Sequence, residues 1–346
     1  MHFFVSGRLC LVGEHSDWAG EYRQFNPQIQ PGMAVVVGTN QGISAHVQQH
    51  SQLICQTLHS PQVLELVMAE EPLLVMAQRN DFYSYVAGVA YQALIRYPVG
   101  GLFLDNYAMD LPLQKGLSSS AAICVLVARA FNQLYHLGLS LESEMELAYW
   151  GERTTPSQCG RLDQACGYGK QPRLMTFDGD RCTTKALSVG ADFSLIIVDL
   201  AGTKNTQKIL AQLNQCYPHP QDPIAVQVQK YLGEMNQKLV KQVVSALEQG
   251  KVEKLGALMN QAQEEFDRYV VPACPEQLKA ALLHQLLRHP PLQPYIYGGK
   301  GVGSQGDGTA QLLALDQVSQ ASAIALINRD FPQMRCYPLD IPQQVN

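Results

Sequence analysis

No stretch of about 18 consecutive apolar residues occurs in the chain, so no helix of it is expected to span a membrane. The apolar run at its start, Met1-His-Phe-Phe-Val-Ser-Gly-Arg8, is cut by Arg8 and is too short for a secretory leader. Nine cysteines are scattered without a single C-x-x-C pair, which argues against a structural zinc site. Their odd number and scatter suit free thiols in a reducing cytoplasm. A basic excess is also missing: the formal net charge is -5, which argues against a nucleic-acid partner. There is no internal repeat, no low-complexity linker and no run of like charge. The common nucleotide loop G-x-x-x-x-G-K-[ST] is absent as well.

What is present is a globular composition, 46% hydrophobic and 16% charged, in 346 residues. That length can form two domains with their own cores. Strand-like and helix-like segments mix without a regular βαβ period, which points to an α+β fold. The pattern shifts toward helices near residue 190, giving expected domains of 1–190 and 191–346. The central feature is Pro112-Leu-Gln-Lys-Gly-Leu-Ser-Ser-Ser-Ala-Ala122. It leads into Ile123–Tyr135, where apolar residues recur at three- and four-residue steps, as one buried helix face requires. A helix start has backbone N–H groups without partners and a partial positive charge. Glycine and small hydroxyl residues there allow a phosphate to come close. An ordinary serine-capped core helix is the plainer alternative.

Other elements follow from the same periodicities. Phe3–Val12 reads as a strand broken at Ser6-Gly7, followed by a loop over Gly13–Gly20. Val35–Gly38 and Ile43–Val47 read as strands joined by a turn at Asn40-Gln-Gly42. Leu53–Ala69 holds short strands around His59-Ser-Pro61, and Phe82–Tyr97 is helical. Gly100–Asp110 is a strand, and Leu141–Glu152 a helix opened by Ser140. Leu174–Phe177 and Leu195–Leu200 are strands. Pro223–Arg268 reads as two helices broken at Gly250, and Gln277–Arg288 as another. Glycines crowd together from Gly298 to Gly308, before a strand at Ala310–Leu315.

Four places could carry chemistry. Glu14, His15 and Asp17 set two carboxylates and an imidazole on one loop, suited to a polyol whose hydroxyls donate to them. A solvated turn with Asp17 as a local cap is the alternative. Asp163, just after Cys159-Gly160, could take a proton from a substrate hydroxyl, and Arg8 beside it could bear on a transferring phosphoryl group. Glu152 ends a helix where its charge opposes the dipole, so it suits a cation such as Mg²⁺, or else a salt bridge with Arg153 or Arg161. The Gly298–Gly308 cluster could bring backbone close to a ligand.

Three of these stretches together resemble the GHMP kinases, the family of galactokinase, homoserine kinase, mevalonate kinase and phosphomevalonate kinase. Gly7-Arg-Leu-Cys-Leu-Val-Gly-Glu-His-Ser-Asp17 is similar to the family's first motif. Pro112–Ala122 is similar to its P-x-x-x-G-L-x-S-S-A-A phosphate loop. Gly301–Gly308 stands where its glycine-rich third motif belongs, but Gly301-Val-Gly303 replaces the usual Gly-Ala-Gly. The resemblance implies a two-domain α+β kinase with an N-terminal domain like ribosomal protein S5 domain 2. Its C-terminal domain would be ferredoxin-like, with the active site between the two.

By the same resemblance, ATP would be bound by Lys115, Gly116, Leu117, Ser118, Ser119, Ser120 and Ala121, and Mg²⁺ by Ser120 and Glu152. Asp163 would be the catalytic carboxylate and Arg8 its cationic neighbour. Glu14, His15, Asp17 and Gly160 would bind the acceptor. Asp17 and the C-G-x-x-D-Q pattern of Cys159–Gln164 resemble the galactokinase branch, whereas Thr203-Lys-Asn-Thr206 resembles the mevalonate kinases. Trp18 stands where galactokinases usually carry tyrosine. The expectation is an ATP-dependent, cytoplasmic kinase of a sugar or sugar acid, acting as monomer or homodimer without nucleic acid or membrane. A kinase of mevalonate or another small alcohol, or a catalytically idle regulator that binds sugar and ATP, is the alternative.

Overall fold

The structure, a computed structural model, describes residues 1–58, 60–79, 81–111, 116–157 and 159–344. Lys115, expected to contact ATP, lies outside the described residues, as does part of the loop before it. Contacts group the chain into two units, neither of them one continuous segment. The first is Met1–Arg8 with Gly38–Gly169, and the second is Leu9–Val37 with Lys170–Asn346. Strands and helices mix in both, and the α+β class expected from the sequence holds. Among the described residues, no helix is long and apolar enough to cross a membrane.

Two strands, β1 (His2–Val12) and β2 (Gly32–His50), contribute residues to both units. In the first unit, Ile43–His50 of β2 pairs antiparallel with β5 (Gly101–Met109). Beyond β5 lie β3 (Gln52–Thr57), parallel to it, and β4 (Ser60–Val67), antiparallel to β3. The break expected at Ser6-Gly7 is not there, because β1 is continuous. Gly7 instead permits close approach: a β-carbon on it would lie 2.9 Å from the Leu117 carbonyl oxygen. Nor is there a turn at Asn40-Gln-Gly42, since β2 is one strand of 19 residues. A β-carbon on Gly42 would lie 2.4 Å from the Val5 carbonyl oxygen, so the glycine serves strand packing and not a turn. Tertiary pairing overrides local turn preference here.

The helix Ser119–Leu134 is the centre of this unit. Every side chain from Ala121 to Ala128 is buried, so it is covered on all sides and not on one face alone. The helices Phe82–Arg96 and Leu141–Arg153 flank it. Those two meet at a pair of glycines: a β-carbon on Gly88 would lie 2.3 Å from the Gly151 carbonyl oxygen. This close crossing buries the next residue, Glu152. Asp81 and Ser140 cap these helices through their side chains, the second as the sequence indicated. A helix over Glu70–Ala77 was not legible in the pattern.

In the second unit, Gly32–Val36 of β2 pairs with β6 (Arg173–Asp178), which forms a hairpin with β7 (Arg181–Ala186). A separate antiparallel sheet contains β8 (Phe193–Asp199), β9 (Ile296–Gly301), β10 (Thr309–Ala314) and β11 (Arg335–Ile341), in the order β11-β8-β10-β9. The break expected at Gly250 holds, since Gly250 has φ 66° and the helix Val252–Tyr269 begins two residues later. That helix lies on β9, where a β-carbon on Gly298 would come within 2.2 Å of the Gly256 carbonyl oxygen. The glycine cluster is therefore half strand and half loop. The helix expected over Gln277–Arg288 is two short ones, Pro275–Leu278 and Ala281–Leu287, parted by Ala280 at φ 47°.

Candidate active site

In the first unit, Arg8 ties the segment Gly116–Leu117, ahead of the helix Ser119–Leu134, to the loop that carries Asp163. Its backbone N–H donates to the Leu117 carbonyl at 3.1 Å, and its Nη1 donates to the Gly116 carbonyl at 3.0 Å. Its Nη2 forms an ion pair with Asp163 Oδ1. The same carboxylate oxygen accepts a hydrogen bond from Ser118 Oγ at 2.6 Å. Ser118 sits in the left-handed region at φ 60° and does not cap the helix it precedes. Holding a non-glycine residue there costs about 1 kcal/mol or more, and such strain gathers at functional sites. The N–H groups of Ser119, Ser120 and Ala121 stand in the first turn, where an α-helix has no internal acceptor for them. An uncapped, positively polarised helix start beside a guanidinium is suited to phosphate oxygens. Leu117 and Ala121 have buried side chains, so only their backbone can serve a ligand.

Asp163 opens a 3₁₀ turn over Asp163–Tyr168, and its N–H donates to the Gly160 carbonyl at 3.3 Å. Between them Arg161 is anchored on Glu146 through two hydrogen bonds of 2.8 and 3.2 Å. Its guanidinium also lies 4.2 Å from the centre of the Tyr149 ring. A planar fork on a carboxylate, stacked on an aromatic face, gives this loop little freedom.

Glu152 is buried and surrounded by hydrogen-bond donors. Gln164 Nε2 donates to its Oε2 at 2.8 Å and Ser157 Oγ to its Oε1 at 3.2 Å, and the Ser120 hydroxyl bonds it too. Burial first, and the charge of Asp163 second, push its pKa up from 4.5 to about 7; the hydrogen bonds of Ser120 and Ser157 partly oppose the shift. A carboxylate held this far from water gains from a cation. Ser120 and Glu152, expected together, are brought together.

In the second unit, Glu14 and His15 lead into a short helix, Ser16–Glu21, with Asp17 in its first turn. The loop expected here is in part a helix, and the alternative of a solvated turn is not what forms: all three side chains are buried. His15 has φ 68°, accepts from Trp18 Nε1 at its Nδ1 over 3.1 Å, and stacks on Phe266 at 6.2 Å between ring centres. Burial first, then the charge of Lys204, lower its pKa from 6.5 to about 4, so the ring is neutral at pH 7. With Nδ1 accepting, the proton sits on Nε2. That atom has no hydrogen-bond partner by geometry, although the Ser304 carbonyl is close enough to favour a proton there. Trp18 packs edge-on against Tyr217 at 5.4 Å, and Tyr22 stacks on Tyr217 at 5.2 Å, which steadies this helix.

Two roles were not legible in the sequence. Ser118 reads as a phosphate ligand, yet its hydroxyl is spent on Asp163. Lys300, inside the glycine cluster, forms a buried ion pair with Glu14. Its one sequence signal is a lysine enclosed by glycines that cannot cover it.

Residues 84–170 match the family model described as GHMP kinases N terminal domain. A galactokinase of Thermococcus kodakarensis is 24% identical over 299 residues, 80% of each chain. Among solved structures, the galactokinase of Lactococcus lactis complexed with galactose is similar at a TM-score of 0.74 and 17% identity, covering 99% of this chain and 93% of that one. The L. major mevalonate kinase in complex with R-mevalonate is similar at 0.69 and 19% identity, covering 100% and 97%. At these identities the structures speak for the fold alone.

Proposed function

We propose that this chain, a member of the GHMP kinase family, transfers the γ-phosphoryl group of ATP to a sugar hydroxyl, most simply the anomeric one. The observation that carries the reading is the joint hold of Arg8 and Ser118 on Asp163 at an uncapped helix start. Phosphoryl transfer needs little covalent chemistry from a protein. It needs aligned groups and stabilised charge. The first-turn N–H groups of Ser119–Ala121 bind phosphate oxygens in this reading, and Asp163 receives or orients the proton of the attacking hydroxyl. Arg8 holds that carboxylate and faces the charge of the phosphoryl group.

The residues present fit Mg²⁺. Glu152 is a buried carboxylate whose raised pKa a cation would reverse, and Ser120 stands beside it. Among the described residues no group of three or more His, Cys, Asp or Glu side chains could hold a metal. Magnesium commonly takes one or two protein ligands and completes its shell with phosphate oxygens and water, so this is the expected donor set. When bound there, it would neutralise charge on the phosphates.

Glu14, His15 and Asp17 supply the acceptor side, where neutral His15 donates from Nε2 and the carboxylates accept. Their likeness to the galactokinase branch, together with the Thermococcus relative, favours a sugar over mevalonate. A panel of hexoses, pentoses, uronic acids and mevalonate, read by ADP release, tests the reading. Release with a sugar is expected, and release with mevalonate alone would replace it. In Asp17→Ala the KM for the sugar should rise roughly tenfold, as loss of one buried charged hydrogen bond implies, while the KM for ATP stays put. Equal rises in both would remove Asp17 from the acceptor side.

A further inference from the structure

The glycine cluster departs from the family pattern, and Lys300 within it is the residue that needs explaining. It lies on β9 at 2% exposure, which is rare for lysine unless the charge is paired. Its Nζ forms an ion pair with Glu14 Oε1 and donates to the Gly301 carbonyl at 2.7 Å. The strand under it is held rigidly. The Gly301 N–H donates to Gln263 Oε1 at 2.7 Å, and Gln263 Nε2 donates to Asp267 at 2.9 Å within the helix Val252–Tyr269. Phe266 of that helix stacks on His15. One helix therefore braces both β9 and the imidazole.

An ammonium has three N–H donors, and two are used here. Among the described residues the second carboxylate oxygen of Glu14 has no hydrogen-bond partner. A bare buried glutamate would be costly to hold. The ion pair is neutral as a whole. A hydroxyl group can donate to the open oxygen of Glu14 and accept from the third N–H of Lys300, whereas an ionised carboxylate has no proton to give that oxygen.

We propose that Lys300 is a specificity-determining residue for the acceptor: it cancels the charge of Glu14 and fixes one oxygen of that carboxylate, so that the other accepts from a hydroxyl of a neutral sugar. This rests on the sugar-kinase reading and narrows it from sugars and sugar acids to neutral polyols.

The test uses the full-length enzyme with the panel sugar that supports the fastest ADP release. Lys300→Met, Glu14→Gln and the double variant are compared for melting temperature, sugar KM and ATP KM. Each single variant strands one buried partner, so Tm should fall by roughly 5 °C or more. The double variant has no stranded charge and should recover most of that loss. In all three the sugar KM should rise by roughly tenfold or more with the ATP KM unchanged. Recovery of both Tm and sugar KM in the double variant would make the pair a purely structural one. An unchanged sugar KM in Lys300→Met would overturn the proposal, as would wild-type turnover of a uronic acid at the rate of its parent hexose. No sugar-dependent ADP release by the wild type would overturn the sugar reading itself, and this inference with it.

Discussion

Asp163→Asn is expected to lower kcat by about three orders of magnitude or more while the chain still folds. Asparagine keeps the shape of the side chain and can still accept from Ser118 Oγ, whose bond to Oδ1 is 2.6 Å. It cannot take a proton from an attacking hydroxyl. It also removes the charge that Arg8 faces, and the Arg8 side chain is only 6% exposed. The structural penalty should stay at about 1–3 kcal/mol, because the guanidinium retains its bond to the Gly116 carbonyl. Far-UV circular dichroism and a melting curve give the fold, and ADP release gives the rate. A folded variant that turns over within about tenfold of wild type would take Asp163 out of the chemistry.

Glu152→Gln should separate stability from activity. The folded chain holds the Glu152 proton more tightly than an unfolded one, with a pKa near 7 against 4.5. A group raised in this way contributes stability below pH 4.5, and that contribution is lost as pH rises through about 7. The loss is on the order of 3 kcal/mol. Glutamine has no such titration. Without metal, the variant should therefore be more stable than wild type at pH 8, and the two should converge toward pH 4–5, where the carboxyl is protonated in both states. Turnover should move the other way, by roughly a hundredfold or more, because the anionic group proposed to hold Mg²⁺ is gone. Melting curves across pH in a chelator, paired with ADP release at saturating Mg²⁺, read both effects. A variant less stable than wild type at pH 8 would show that the carboxylate is not penalised by burial as described.

The parts of this protein that were legible in its sequence are those written in neighbouring residues. The helix Ser119–Leu134 declares itself through apolar spacing, and the glycine and serines before it mark where it starts. Asp163 and Glu152 stand out as carboxylates at a turn and a helix end, and Ser140 and Gly250 mark helix boundaries that the structure keeps. Errors arose where a residue answers to a distant one. Gly7 and Gly42 looked like interruptions but are points where strands or carbonyls come close. Ser118 gives its hydroxyl to Asp163, 45 residues on, a bond that no local pattern announces.

Glu152 owes its burial to the crossing of two helices at Gly88 and Gly151. Glu14 meets Lys300 across 286 residues of chain. Backbone preference and periodicity are local, so a single sequence reveals them. An ion pair or a buried carboxylate depends on which distant segments close on one another, and no local pattern expresses that closure.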